Sequence, residues 1–249
     1  MSVCVVSVVR DYDMYRSCVK DNPFLSGCRM VDFDNRNENV SVTERYNGFL
    51  DSEMKDEWIV FCHEDWEALE PLAPLVEKLD PDYLYGPVGV FVEEKKGRAD
   101  VIVMKGEVVQ SGKKGGRHIM IRGKDSEGRV DTFDCQCLIV HSSLVRRNHL
   151  RFDTHLSFDM YVEDFCVSAY EKAGIESMAV RIACHHHSPG SMSKSFFEAL
   201  DYVREKWSVS RKRYATIVGH LNTFGGDPSR KVYKWKRIPH IMLRYKFSK

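Results

Sequence analysis

The sequence predicts an α/β protein with a mainly parallel central sheet flanked by helices. Up to about residue 86, apolar runs of strand length alternate with segments of helical periodicity, which is typical of right-handed β-α-β units. Over residues 87–130, short apolar runs separated by turn sequences such as SGKKGG replace this alternation, so we expect an antiparallel β insertion there. A basic, aromatic segment follows residue 192, and we expect it to form a C-terminal helical tail.

Four apolar runs in the first part of the chain predict strands, at residues 3–9, 28–33, 58–62 and 83–85. Helical spacing separates them over residues 12–19, 41–51 and 69–79. Ser41 and Glu44 form a capping box at the start of the second of these helices, and Pro71 suits the first turn of the third. The run at 58–62 is apolar at every position, which indicates a strand buried on both faces in the middle of the sheet.

Beyond the insertion, the pattern predicts a strand, a helix and a second strand, over residues 130–140, 161–173 and 175–184. In the first strand, Cys135 and Cys137 would share one face and pack as core residues. Gly174 is placed to end the helix. The apolar stripe of that helix is complete without Glu163 and Asp164, so we expect neither acid to pack in the core.

The length and composition predict one large domain with an appendage. The chain has 249 residues, of which 43% are apolar and 29% charged, and it can bury a sizeable core. We expect a domain over residues 1–192 and an extension over residues 193–249. The extension carries 14 Lys or Arg against four Asp or Glu, so it suits anionic lipid headgroups, an acidic acceptor or nucleic acid. A packed helix with a solvated face explains the same pattern.

The sequence also gives an expectation for location. No apolar run approaches the roughly 18 residues needed to cross a bilayer, and MSVCVVSVVRD lacks the basic start of a signal peptide. The eight cysteines mostly interrupt apolar runs, where reduced thiols pack as small hydrophobes. We therefore expect a cytoplasmic protein, with peripheral membrane contact through the basic tail as an open possibility. The net charge of +1 indicates no particular partner, and we do not expect a nucleic-acid partner.

Three groups of acids or imidazoles each follow a predicted strand or open a predicted helix: His63-Glu64-Asp65, Glu163-Asp164 and His185-His186-His187. Open α/β sheets bind ligands beyond the carboxyl ends of their strands, so these groups can converge on one site. Asp and His with open positions suit Mn²⁺ or Mg²⁺ held partly by a substrate's phosphates. Solvated loops and acids that complement a helix dipole explain the same residues, and both alternatives stay open. Gly-rich nucleotide motifs and a G-x-S-x-G elbow are absent from the sequence.

The order of motifs resembles the family-2 glycosyltransferases of the GT-A fold, with a closer likeness to their streptomycin-biosynthesis-type branch. In chain order, over residues 3–192, the motifs are SVVRD, DFDN, RYNG, HED, VEDF and HHHSPGS. The resemblance implies a transferase that moves a sugar from a nucleotide-diphosphate donor, with UDP-sugars favoured, to a hydroxyl of an unidentified glycan, lipid-linked or protein acceptor. It also implies inversion at the anomeric carbon and Mn²⁺ or Mg²⁺ as cofactor.

The resemblance implies roles for particular residues. Asp65 matches the last acid of the family's D-x-D motif, which holds the metal, and His186 or His187 matches the histidine that completes the metal site. Asp164 matches the second letter of the E-D motif, which is the base, and Glu163 the first letter. The residues placed at the donor site are Ser7, Val8, Val9, Asp34, Asn35, Asn47, His63 and Glu64. Within that set, Asp34 is placed like the acid that reads the nucleobase, a role that Asp32 or Asn35 could also fill.

The sequence departs from the family at two positions. His63 stands where the family has the first acid of D-x-D, and Asp159 stands where this branch often has a histidine. A catalytically decayed nucleotide-sugar-binding protein is therefore a second hypothesis. A metal-dependent phosphoesterase built from the same acids and histidines is a third. Product analysis separates them, because a transferase moves sugar to an acceptor, a hydrolase releases it to water, and a binder leaves the donor unchanged.

Overall fold

A seven-stranded sheet forms the centre of the protein in the computed structural model, which describes residues 2–94, 100–111, 118–190 and 193–221. The strands are β1 Ser2–Val9, β2 Arg29–Asp34, β3 Glu57–Cys62, β4 Trp66–Ala68, β5 Leu84–Gly86, β6 Val88–Glu93, β7 Val101–Ser111, β8 His118–Arg122, β9 Gly128–Val130, β10 Thr132–Phe133, β11 Cys137–His141, β12 Ser177–Ala179, β13 Cys184–His186, β14 Ala215–Thr216 and β15 Gly219–His220. The α-helices are α1 Tyr12–Tyr15, α2 Val42–Ser52, α3 Ala73–Val76, α4 Ser142–Asn148, α5 Tyr161–Ala173 and α6 Lys194–Lys206. A π-helical turn at Arg16–Lys20 continues α1, and a 3₁₀ turn follows at Pro23–Leu25.

The central sheet is mainly parallel, as the sequence predicts. Its order is β2-β1-β3-β11-β5-β12-β9, in which β1 pairs in parallel with both β2 and β3, and β12 pairs in parallel with β5. Only β11 and β9 run against their neighbours among the strands of this sheet. Because β11 is antiparallel to β3, the start of β11 lies at the same edge as the carboxyl end of β3.

The antiparallel insertion is also present, and it belongs to a second sheet of order β10-β6-β7-β13-β4 with β8 on β7. The pairs β6–β7 and β7–β8 are antiparallel hairpins, as expected from the turn sequences. The last strand of the insertion, β9, pairs instead with β12 of the central sheet. The insertion therefore joins the two sheets rather than forming a separate layer.

Strand β3 lies between two apolar layers, which explains its uninterrupted apolar sequence. Ile59 and Phe61 pack into the layer with α2, α5 and α6, whereas Trp58 and Val60 pack into the layer with α1 and α3. All of these side chains are buried. Because each large apolar side chain stabilises the fold by about 1.5–3 kcal/mol on full burial, a polar residue at any of these positions would be costly.

Helices α2 and α5 match the sequence prediction closely. The Ser41 hydroxyl accepts from the Glu44 N–H while the Glu44 carboxylate accepts from the Ser41 N–H, so the capping box is formed. Helix α5 ends at Gly174, whose φ of 68° is the left-handed conformation that favours glycine. Both helices present their apolar stripes to the same core.

Three predicted elements differ from the structure. The helix expected over 69–79 is reduced to α3, because the chain first forms β4, and the N–H of Leu69 donates to Ala183 in the neighbouring segment. The single strand expected over 130–140 is divided into β10 and β11, so Cys135 lies outside both strands. The strand expected over 175–184 is divided into β12 and β13. In the last two cases the chain passes from one sheet to the other, which the pattern of apolar residues does not reveal.

Helix α6 lies at the beginning of the predicted tail. Its buried residues Leu200 and Val203 belong to the same core as α5, so this part of the tail packs on the domain. Eight of the 14 cations of the extension belong to residues 222–249, which are outside the described part of the chain. Within the described ranges, none of the helices combines the length and the apolar character needed to span a membrane.

Candidate metal and active site

The carboxyl end of β3 and the end of β13 bring together two histidines and an acid. The Asp65 Oδ1 atom lies 3.5 Å from Nε2 of His186 and 4.0 Å from Nδ1 of His63. Each of the three residues offers one ligand atom, and these atoms all lie within 4.8 Å of one another. The N–H of His63 donates to the carbonyl of Gln136 at 3.1 Å, which fixes the chain where it leaves β3. The ligand atoms of this cluster are therefore close enough together to bind one divalent cation.

The polar atoms of this cluster fit a metal ion. Among the described residues, Nε2 of His63 and both ring nitrogens of His186 are buried without a hydrogen-bond partner. His186 is only 6% exposed, and a buried polar atom left unpaired costs about 1–3 kcal/mol. Coordination of a cation by Asp65 and the two imidazoles would satisfy such atoms, and the donor set of nitrogen and oxygen suits Mn²⁺ as well as Zn²⁺.

The ionisation of His63 and Asp65 is consistent with the same conclusion. Burial lowers the pKa of His63 to about 4, so its imidazole is neutral near pH 7, the form that ligates metals. Burial opposes ionisation of Asp65, but the neighbouring His186 and His63 outweigh it and lower the Asp65 pKa. Burial also disfavours the charged form of His186, whereas the Asp65 carboxylate outweighs burial and raises the His186 pKa. The distance of 3.5 Å is long for a directed hydrogen bond, so this attraction is mainly electrostatic.

The structure brings the side chain of His186, but not that of His187, to the Asp65 carboxylate, whereas the His187 N–H donates to the Asp65 carbonyl at 2.9 Å. Successive residues of an extended chain point to opposite faces, so His187 lies on the other side from His186. The Nε2 atom of His187 is 2.7 Å from Oε2 of Glu67, and its ring lies against that of His185. Of the two histidines predicted as alternatives, only His186 lies in the Asp65 cluster.

The segment before β11 adds site residues that the sequence analysis missed. The Asp134 carboxylate accepts from the side-chain amide of Gln136, and its charge acts on both His63 and His186. The Cys135 thiol donates to Oε2 of Glu163 at 2.9 Å. These residues were hidden because the sequence predicts one strand over 130–140, whereas the structure places them in a loop at the carboxyl edge of the sheet.

Glu163 is buried beside that loop, in the first turn of α5. The side chain is 2% exposed, contrary to the expectation that neither acid of this turn packs in the core. Burial, with smaller contributions from the charges of Asp134 and Asp159, raises the pKa of Glu163 to about 8, while the Cys135 hydrogen bond opposes the change. A carboxyl group with this pKa exchanges protons near neutral pH, which is the property of a general acid or base.

Asp164, the next residue, is held by α6. Its Oδ2 atom accepts from Nζ of Lys206 at 2.8 Å, and its Oδ1 atom accepts from the Trp207 indole at 2.7 Å. Lys206 also donates to Asp153 at 2.6 Å. Asp164 is 1% exposed, and burial raises its pKa while the Lys206 charge opposes that rise. The sequence expectation that Asp164 is free of packing is therefore wrong.

Several predicted donor-site residues hold the backbone at the ends of β1 and β3. The Glu64 carboxylate accepts from the N–H groups of Arg10 and Asp11, the latter at 2.9 Å, and so ties the two strand ends together. The hydroxyl of Ser7 is fully buried and lies 3.4 Å from the Cys62 sulfur. This contact directs the Ser7 side chain into the core rather than towards a ligand.

Other members of that set have similar structural contacts. Both side-chain atoms of Asn35 bond the backbone of Val40, and both side-chain atoms of Asn47 bond the backbone of Phe152. Of the predicted pocket residues in β1, Val9 is buried, and its carbonyl accepts from the Asn35 N–H at 2.8 Å. Val8, next to it, is partly buried. The side-chain amides of Asn35 and Asn47 are therefore hydrogen-bonded to the backbone of the protein.

Asp34 lies at the end of β2 in an exposed group of charges and rings. Arg36 forms hydrogen bonds with both carboxylate oxygens of Asp34 and lowers its pKa to about 2. The Arg36 guanidinium also lies 4.7 Å from the centre of the Tyr12 ring, whose hydroxyl donates to Asp32 at 2.8 Å. This group offers a flat cation, a ring and two acids at the carboxyl edge of the sheet, and no sequence motif marks Tyr12 or Arg36.

The fold and the site together define an α/β protein with a mainly parallel sheet and a candidate divalent-metal cluster at its carboxyl edge. No protein-family model matches the sequence, and no curated protein matches it. Among solved structures, the chain is similar to GalNAc-T7 with UDP, GalNAc and Mn²⁺, at 10% identity and a TM-score of 0.49, covering 82% of this chain and 48% of that one. It is also similar to S. aureus TarS 1-349, at 11% identity and a TM-score of 0.45, covering 83% of this chain and 65% of that one.

A third similar structure is A197 from STIV, at 16% identity and a TM-score of 0.43, covering 76% of this chain and 86% of that one. The present chain therefore spans about half of GalNAc-T7 and about two-thirds of TarS 1-349. At these identities the likeness concerns the fold alone.

Proposed function

We propose that this chain is a metal-dependent glycosyltransferase of the GT-A type, which transfers a sugar from a nucleotide-diphosphate donor to an acceptor hydroxyl with inversion. The observation that carries the proposal is the buried cluster of His63, Asp65 and His186, with its unpartnered ring nitrogens, at the carboxyl edge of the sheet. In an open α/β sheet this edge is where ligands bind. The second supporting observation is the buried Glu163 near the same edge.

A Mn²⁺ or Mg²⁺ ion bound by Asp65 and the two histidines would neutralise the charge that develops on a diphosphate leaving group. The protein itself supplies the position, because β3 and β13 present the ligands from two sheets. We place the nucleoside at the ends of β1 and β2, beside Asp34 and the partly buried Val8. Glu64 would act there indirectly, by holding the backbone at Arg10 and Asp11.

We assign Glu163 as the base that takes the proton from the acceptor hydroxyl. Its pKa of about 8 is close to neutral pH, and it shares the electrostatic influence of Asp134 with the metal cluster. Asp164, which the family resemblance suggests, has both oxygens occupied by Lys206 and Trp207. It would have to lose one of these contacts before it could accept a proton from a substrate. A single base and a single displacement give inversion.

The function is tested by a panel of UDP-, GDP-, CMP- and dTDP-sugars, each with and without Mn²⁺. The UDP-sugars come first, because GalNAc-T7 and TarS have been crystallised with UDP or UDP-GlcNAc. A donor at 100 times its Kd stabilises the folded protein by about 2.7 kcal/mol, which a thermal-shift measurement resolves. Transfer to an added acceptor supports the proposal, whereas release of sugar to water identifies a hydrolase. An intact donor that binds tightly identifies the decayed, binding-only protein.

Asp65→Ala is expected to abolish the Mn²⁺-dependent part of donor binding and leave the protein folded. Asp65 follows the core strand, and its contacts are with the two histidines of the cluster. The measurement is the thermal shift of wild type and variant with UDP-sugar and Mn²⁺. Asp82→Ala is the matched control, because Asp82 is exposed and its carboxylate pairs with Arg147 at the surface. Unchanged Mn²⁺-dependent binding in Asp65→Ala would place the metal elsewhere.

The acceptor and a peripheral membrane contact remain further proposals. The extension after residue 192 carries the excess of cations that would attract acidic headgroups or an acidic acceptor. Binding to vesicles of phosphatidylserine should therefore weaken as salt increases. Salt-independent binding, or no binding, would remove the membrane contact from the proposal.

A further inference from the structure

A second cluster of two histidines and an acid lies beside the first. It consists of Glu67 in β4, His185 in β13 and His187 directly after β13, and their ligand atoms also lie within 4.8 Å of one another. In the β4–β13 pair, His185 is directly opposite Glu67. The Glu67 Oε2 atom is 2.7 Å from Nε2 of His187 and 3.8 Å from Nδ1 of His185. The two imidazole rings have their centres 3.8 Å apart.

This second cluster is separate from the one around Asp65. His185 and His187 alternate with His186 along the extended chain, so the two clusters use opposite faces of β13. No residue is shared between them. The second cluster is therefore not an extension of the proposed catalytic metal site, and an inference about it does not depend on the proposed function.

Ser111 at the end of β7 gives the second cluster an outer contact. Its hydroxyl lies 3.0 Å from Nε2 of His185, which leaves Nδ1 of that ring directed towards Glu67. Metal-binding histidines commonly use one ring nitrogen for the metal and the other for such a hydrogen bond, which fixes the tautomer and the ring orientation. His185 is 8% exposed, whereas Glu67 and His187 are partly exposed. The cluster is consequently ordered on one side and open to solvent on the other.

We propose that Glu67, His185 and His187 form a second metal site, which binds Zn²⁺ or a similar transition-metal ion. Two imidazole nitrogens and one carboxylate oxygen are a donor set that Zn²⁺ uses, with a fourth position left for water or another ligand. The ligands come from β4 and β13, so the bound ion clamps these two short strands together. Because His186 lies between two of the ligands, the clamp also holds the strand that presents His186 to the Asp65 cluster.

The test uses the tag-free full chain, stripped of metal and carrying Asp65→Ala to disable the first cluster. Titration with Zn²⁺, followed by dialysis and metal analysis, is expected to give one tightly bound ion per chain. Addition of His187→Gln should weaken this binding by more than about 100-fold, since the loss of an outer hydrogen bond alone costs 10- to 100-fold. Ser111→Ala should cost about 10- to 100-fold for the same reason.

His187→Gln is chosen because the glutamine amide can still donate to Glu67, so the structural contact is preserved while the imidazole ligand is lost. His149→Asn is the matched control: His149 is exposed, has a φ of 50°, and asparagine tolerates that conformation. Circular dichroism verifies that each variant is folded. Failure of the Asp65→Ala protein to bind Zn²⁺, or unchanged binding after His187→Gln, would overturn the proposal and leave Glu67 and His187 as a simple hydrogen-bonded pair. Neither result would affect the test of the glycosyltransferase function, which measures donor binding and transfer.

Discussion

Glu163→Gln is expected to reduce sugar transfer by roughly 10²- to 10⁴-fold, the usual contribution of a positioned general base. Glutamine keeps the size of the side chain and can still accept from the Cys135 thiol, but it cannot accept a proton from the acceptor. Donor affinity should remain unchanged, because the metal cluster and the ends of β1 and β2 are untouched. The measurement is turnover with saturating donor and acceptor, together with the donor Kd of the same variant.

Asp164→Asn is the matched control from the same helical turn. Its oxygens bond Lys206 and Trp207, so we expect a lower melting temperature but turnover within a few-fold of wild type when the assay is run well below that temperature. If Asp164→Asn lost turnover and Glu163→Gln kept it, Asp164 would be the base, as the family resemblance implies. Loss of turnover in neither variant would favour a reaction that does not use a base from this turn.

The pKa of Glu163 gives a further expectation for stability. Because this pKa is raised from 4.5 to about 8, the folded protein favours the neutral acid more than the unfolded chain does. The corresponding stability is fully present below about pH 4.5 and is lost as the pH rises through about 8. The introduced glutamine side chain of Glu163→Gln stays neutral, so this variant does not lose stability as the pH rises. Its free energy of unfolding should therefore increase relative to that of wild type over this pH window, by at most about 5 kcal/mol. Denaturant melts at pH 5 and pH 9 measure the change, and a constant difference between the two proteins would contradict the raised pKa.

The parts of the fold that were predictable are those in which local sequence and global packing agree. The capping box at Ser41 defines the start of α2, and Gly174 defines the end of α5. The continuous apolar run of β3 indicated its place between two apolar layers. The two strands that were wrongly predicted share one physical cause, because within each predicted strand the chain leaves one sheet and enters the other. Periodicity reports that a residue is buried, but it does not report which sheet the residue joins.

The candidate site was predictable only where its residues are close to a strand end. The HED sequence after β3 and the histidines of β13 were recognisable in this way, and they supply Asp65, His63 and His186. The residue that lies opposite Glu67 in the β4–β13 pair depends on strand register, and no sequence pattern indicates β4. A spacing of two residues between His185 and His187, in an extended segment, was a signal that both rings share a face.

The contacts of Asp164 could not be predicted from the sequence, for a different reason. Lys206 and Trp207 are 42 and 43 residues away, and they meet Asp164 because α6 packs its apolar stripe on the core that contains α5. Acidic residues in a first turn ordinarily complement the helix dipole and stay exposed. Here the buried carboxylate of Asp164 and the partly buried carboxylate of Asp153 both accept from one ammonium group, so the pairing connects two segments of the domain to the helix that begins the basic extension.

Lys206→Met is therefore expected to lower the free energy of unfolding by about 3 kcal/mol, because it leaves the Asp164 carboxylate buried with a single remaining donor, the Trp207 indole. Methionine retains the apolar stem of the lysine, so the loss reports the charge and not the packing. Lys194→Met is the matched control on the same helix, since Lys194 is almost fully exposed and pairs only with Glu198.

Urea denaturation of Lys206→Met, of Asp164→Asn and of the double variant that carries both substitutions separates the possible causes. Removal of the buried charge by Asp164→Asn should restore part of the stability that Lys206→Met loses, which appears as a coupling free energy in the double-mutant cycle. Equal, small effects of Lys206→Met and Lys194→Met would show that α6 is not anchored through Asp164. In that case the Asp164 carboxylate would be available to a substrate, and the assignment of Glu163 as the base would lose its main argument.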